Sequence, residues 1–254
     1  MKFKFLLLSF MLLLSVSVVL AATFGTKKRM KKPYEFGNVI INNYSKKSEI
    51  APVIFRHWTH RSKYTCRLCH VDIGFAMEAG GSDIREEDNK IGLYCGTCHN
   101  GKISFDLKSK DNCVKCHSLG KESEPVKKFY EFSNKMPKER FGNRIDWMKA
   151  EEKGIIKLQD YVEGVSMKRK QLKAGKDFEV KSKILGMPDI IFSHKKHAVM
   201  NGCELCHPEI FGAKKGVTKY SMEDIFAGKY CGACHDKVAF PFYDCQRCHV
   251  KETY

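Results

Sequence analysis

FRHWTHRSKYTCRLCH, residues 55–70, carries two histidines three apart, His57 and His60, and then Cys66-x-x-Cys69-His70. The arrangement returns with identical spacing at residues 192–207, FSHKKHAVMNGCELCH, as His194, His197, Cys203, Cys206 and His207. Cys-x-x-Cys-His is the attachment pattern of c-type haem. Two thiols three residues apart form thioethers to the two vinyl groups of one porphyrin, and the adjoining His reaches its iron. Four more copies follow: Cys95/Cys98/His99, Cys113/Cys116/His117, Cys231/Cys234/His235 and Cys245/Cys248/His249. These six motifs consume all twelve cysteines, which predicts six covalent haem c groups and a role in moving electrons rather than catalysis.

Export is written at the start of the chain. Lys2 and Lys4 precede an apolar run from Phe5 to Leu20 and then Ala21-Ala22, the layout of a cleaved secretory signal over residues 1–22. The run is short for a span of about 20 residues, so a membrane association follows only if the leader stays uncleaved. Export implies the periplasm, an oxidising compartment where disulfides also form. A disulfide scaffold gives no reason for a His after every pair. Zinc sites use Cys-x-x-Cys too, but do not require that His.

The formal charge of +16 suggests nucleic acid, and the cofactors explain it better. Losing Lys2 and Lys4 leaves +14. Six haems bring roughly −12 through their propionates, and each oxidised iron adds about +1, so the loaded protein lies near +2 reduced and +8 oxidised. The remainder steers encounters with acidic surfaces. The expected partners are other redox proteins (cytochromes, quinol-oxidising complexes, terminal reductases), with no nucleic acid.

Matching Phe55 to Phe192 gives an offset of 137 that narrows to 132 at Cys113/Cys245, an internal duplication with small loop differences. The chain divides into a basic, mobile lead-in (23–50), a triheme domain (51–120), a charged linker with a short helix (121–186) and a second triheme domain (187–254). Units this small bury too little surface to fold unaided, and haem fills the core in place of side chains. The expected fold is mostly irregular with short α-helices and a small two-stranded β piece in each domain, near Val53–Phe55 and Ile190–Phe192. Phe55, Trp58, Phe75 and Phe105, then Phe192, Phe211, Phe226 and Phe240, are the expected packing. In the linker, FGNRIDWMKAEEKG offers Asn143 as N-cap and Gly154 as terminator, with Trp147 docked on a neighbouring surface.

Ten histidines are present. Six are proximal ligands in the motifs; the other four, His57, His60, His194 and His197, are the candidate distal ligands, and none is left over. Residues i and i+3 share one helical face. Two such imidazoles cannot bind one iron from the same side, so each pair serves two haems and holds them close. Six irons then have four distal histidines. Met77, in Phe75-Ala76-Met77-Glu78, and Met222, in Tyr220-Ser221-Met222-Glu223, occupy the same place in the motif order of each domain. Either Met ligates, as His/Met haem does at raised potential, or it packs softly on porphyrin, leaving a five-coordinate haem with an open face. Ser221 and Asp224 form a capping-box pattern, so Met222 opens a helix that ends near Gly228.

Phe-x-His-x-x-His-x5-Cys-x-x-Cys-His followed by two further attachment motifs resembles the triheme cytochrome c7 family, a shortened relative of cytochrome c3. The segment FGNRIDWMKAEEKGIIKLQDYVEG is similar to stretches beside such domains in exported multihaem cytochromes of metal-reducing bacteria. The resemblance implies ligand pairs His57 with His70, His60 with His99, His194 with His207, and His197 with His235. The family's third distal His is missing from both domains. Larger relatives place Met there, which implies Met77 with His117 and Met222 with His249, giving four bis-His and two His/Met haems. A multihaem reductase with an open-site haem is the alternative function.

Overall fold

The short strands leading into the double-His stretches are rich in β-branched and aromatic residues, which suit a half-buried pleated surface. In the computed structural model, which describes residues 30–119, 122–170 and 173–251, both form. Asn38–Ile41 (β1) pairs antiparallel with Val53–Arg56 (β2). Phe178–Val180 (β3), Asp189–Phe192 (β4) and His249–Lys251 (β5) form a second antiparallel sheet in the order β3-β4-β5. The expected secretory leader, residues 1–22, lies outside the described residues.

Two expectations change here. The lead-in 23–50 was expected to be mobile, yet β1 lies within it and Phe36 is buried. Its strand is needed to cover the edge of β2. The second sheet also has three strands rather than two, because His249 follows the last attachment cysteine directly onto β4. The first lobe keeps only a single bridge at the equivalent place, Val53 to His117.

The helices are short: His57–Arg61 (α1), Glu86–Lys90 (α2), Cys113–Cys116 (α3), Ser123–Asn134 (α4), Trp147–Glu152 (α5), His194–Asn201 (α6) and Met222–Phe226 (α7). Both double-His stretches are therefore helical, α1 and α6, as the three-residue spacing requires. α7 opens at Met222 behind a complete Ser221/Asp224 capping box and ends before Gly228. α5 ends where expected, at Gly154 with φ +66°. Its N-cap is Asp146, whose carboxylate accepts from the Lys149 amide at 3.0 Å. Asn143 instead accepts from the Trp147 indole at 3.3 Å.

The linker is not merely solvated. It carries two helices, and it supplies most of the principal apolar cluster: Phe129, Met136, Ile145, Trp147, Ala150 and Ile156, joined by Trp58 from the first lobe and Met200 from the second. Fully burying side chains of this size stabilises by about 1.5–3 kcal/mol each. The charges sit on the other face of α4, where Glu124–Lys128 and Lys127–Glu131 are i,i+4 pairs. An ionic chain reinforces the join. Arg67, 2% exposed, is held by Asp72 at 2.9 Å and Asp160 at 2.7 Å, and Arg169 links Asp72 to Glu204. The described residues from Lys32 onward thus form one compact unit.

Protein interiors leave few voids larger than a water. This one has a connected cavity of about 2290 Å³, partly open to solvent and lined by residues of both lobes. That is more than twice the roughly 1,000 Å³ upper end of ordinary ligand pockets. The polypeptide does not fill its own interior.

Candidate functional site

Each attachment motif folds into a single turn. The His amide donates to the carbonyl of the first Cys in four of them, at 2.9 Å for His99, 2.8 Å for His117 and 3.0 Å for His207 and His235. One turn brings both thiols and the imidazole together. All twelve cysteines are free of disulfides.

Three pairs of histidines face one another across the cavity. His57 and His70 have ring centroids 6.5 Å apart with planes 7° from parallel. His60 and His99 are 6.2 Å apart at 61°, and His197 and His235 are 6.3 Å apart at 57°. Two imidazoles bound trans to one metal at ~2.0 Å through Nε2 place their ring centroids about 6 Å apart. His57 and His60 belong to one turn of α1 but have different partners, as the same-face argument requires. The fourth implied pair, His194 with His207, is not in ring contact.

Hydrogen bonding sets which nitrogen is free. Nδ1 of His57 faces the Gly37 carbonyl at 2.7 Å, His70 that of Phe75 at 2.9 Å, and His117 that of Ala51 at 2.6 Å. His194 faces Lys176, His197 Ser193, His207 Phe211, His235 Phe240 and His249 Pro188. His60 is held by Thr59 and the Arg56 carbonyl. His99 feels the Phe105 carbonyl but lies outside hydrogen-bond geometry with it. A carbonyl can only accept, so each Nδ1 bonded to one carries the proton and leaves its Nε2 lone pair for a metal; His99 is not fixed in this way. Burial also keeps three of these rings neutral, lowering His57, His60 and His235 to about 4. The donor set fits haem iron.

The duplication extends to detail. Phe55 stacks on His60 and Phe192 on His197, both at 4.5 Å. Phe105 packs on His99 at 4.3 Å and Phe240 on His235 at 4.2 Å. Tyr94 and Tyr230, each just before an attachment Cys, share a left-handed backbone at φ +45° and +52°. Two of the expected packing residues line the cavity and also meet other rings. Trp58 packs on Phe129 and Phe132 of the linker, and the Phe226 ring meets Phe242.

A family model described as cytochrome c7 and related cytochrome c matches residues 53–118 and 190–250, half of the chain. The chain belongs to this family. Among solved structures, the C-terminal hexaheme fragment of GSU1996 is 25% identical, covering 87% of this chain and 99% of that one, with a TM-score of 0.27. A c7-type three-heme cytochrome domain is 33% identical over 35% of this chain and all of that one, with a TM-score of 0.29. The search of curated proteins finds no match.

As a cytochrome c7 relative, the protein is a multihaem c-type cytochrome, and such proteins are generally electron carriers. No helix among the described residues is long and apolar enough to cross a membrane. Met77 and Met222, the cytochrome's third-haem candidates, are half-buried and line the cavity. The attachment sites of the two lobes also meet. Burial pushes the Cys234 thiol up to about 12 and raises Cys206, and Cys66 of the first lobe adds to both.

Sequence reasoning missed the backbone acceptors Gly37, Ala51, Lys176 and Pro188, which carry no side-chain signal. It also missed the apolar stripe of α4, although Val126, Phe129, Tyr130 and Ser133 follow helical spacing.

Proposed function

We propose that this cytochrome is a periplasmic hexahaem electron carrier with its two triheme lobes in series. The observation that carries this reading is the set of three facing imidazole pairs, 6.2–6.5 Å apart, in one cavity lined by both lobes. Bound haem would supply one-electron exchange at each iron.

The chain's own residues do the rest. Paired cysteines fix each group covalently. His57 with His70, His60 with His99, His194 with His207, and His197 with His235 would hold four of the haem irons. Met77 with His117 and Met222 with His249 complete the third site of each lobe, at higher potential than the bis-His sites. The carbonyls at Nδ1 lock ring orientation, and the apolar lining keeps water away. The double-His turns hold neighbouring sites close, as electron hopping needs. Residues 1–22 direct export, and redox proteins such as cytochromes, quinol-oxidising complexes and terminal reductases are the partners.

The test is a haem count per purified chain combined with carbon monoxide binding to the reduced protein. Six haems that resist carbon monoxide support a saturated carrier. Carbon monoxide uptake by the native protein would instead indicate an open site and a reductase.

A further inference from the structure

Arg61 has no role in the array described so far. It closes α1 one residue after His60 and reaches out of the first lobe into the second. Its Nη1 donates to the Val238 carbonyl at 2.7 Å, and its Nη2 meets Met200 Sδ at 3.7 Å. The guanidinium lies 4.8 Å from the centre of the Trp147 ring. Its Nε is buried without a hydrogen-bond partner. Among the described residues no carboxylate forms an ion pair with it, whereas buried Arg67 has both Asp72 and Asp160.

A guanidinium stays charged at any physiological pH. A charge buried among neutral side chains acts strongly on any group held beside it. Its position is specific. Arg61 lies five residues before Cys66, and its acceptor residue Val238 donates its own amide to the Cys234 carbonyl at 2.9 Å. The cation therefore sits between the first attachment motif of one lobe and the second attachment motif of the other.

We propose that Arg61 is a positioning residue that raises the reduction potentials of the two haems meeting at this junction, and so sets where an electron crosses between the lobes. This rests on the electron-carrier reading. In the crossing, one ferrous centre loses an electron and a ferric centre in the other lobe gains it, with no bond or proton changed. Each reduction adds one negative charge, which a fixed cation stabilises. A unit charge acting over ~10 Å at an effective dielectric of ~20 changes such an equilibrium on the order of tenfold. For one electron, tenfold corresponds to about 59 mV.

The test is a potentiometric titration of the haem-loaded protein, wild type against R61M, with R61K as the charge-conserving control. Two midpoint potentials fall by about tenfold in the reduction equilibrium in R61M, the others hold, and R61K restores the pair. Should R61M lose haem, R61Q, which keeps a donor for Val238, takes its place. Unchanged potentials, or one uniform shift of every centre, overturn the proposal while leaving the carrier reading intact. A wild-type protein without redox-active haem overturns both.

Discussion

His57 and His70 face each other with ring planes 7° apart, whereas His60, one turn along the same helix, meets His99 at 61°. Adjacent sites thus have nearly parallel and strongly crossed axial planes. The plane angle sets the splitting of iron d orbitals in a low-spin ferric centre. Electron paramagnetic resonance of the oxidised protein will show one rhombic signal from the first site and a more anisotropic signal from the second. His57→Ala will abolish the first and create one carbon monoxide-binding haem. His60→Ala will do the same for the second, leaving the first in place.

Met77→Ala and Met222→Ala test the third site of each lobe. Each will remove one higher-potential centre from the redox titration, together with part of the weak far-red band of His/Met haem. Titrations identical to wild type would reduce both residues to packing.

Gly96 and Gly232 occupy the same place in the second motif of each lobe. A Cβ there would lie 1.8 Å from the Asn89 carbonyl oxygen or 2.0 Å from that of Ile225. Backbone cannot give way as a flexible side chain does. Gly96→Ala and Gly232→Ala will each destabilise by about 3 kcal/mol, the upper end of overpacking costs. Melting of the loaded protein and haem retained per chain will report it.

These glycines also mark what could be read from sequence. Cysteine spacing, the ten histidines and the double-His repeat were legible because covalent chemistry and ligand geometry fix them locally. The capping box at Ser221 and the stop at Gly154 were legible for the same reason. The partners of those groups were not. β1 pairs across a gap in sequence, Trp58 packs on the linker as well as lining the cavity, and the orienting carbonyls belong to backbone, which has no residue signature. Charge in 121–186 concealed an apolar stripe that only a tertiary neighbour makes useful.

That stripe has an energetic consequence. Trp147→Ala will destabilise by about 3–5 kcal/mol, as large-to-small core changes do. Because Trp147 touches Phe132 and Arg61, the loss will loosen the join before it loosens either triheme lobe. Limited proteolysis will cut within 121–186 and release two haem-bearing fragments; random cleavage would contradict this.

Asp189 supplies a pH test. It is 2% exposed and accepts from the Lys181 ammonium at 2.8 Å and the Ser182 amide at 2.9 Å. Lys181 above all holds its carboxyl below the usual carboxylate range. A lowered folded-state pKa gives stability that is present above the unfolded value of about 3.9 and is lost as pH falls through the lower folded value. Melting temperature will therefore drop on acidification, and Asp189→Asn will flatten that part of the slope.

The hollow interior has a consequence for the cell. A fold lined to receive porphyrin depends on its cofactor for packing, as domains with too little core of their own depend on a staple. Less of it will therefore accumulate in iron-limited cultures than in iron-replete ones at equal message, which an immunoblot will check.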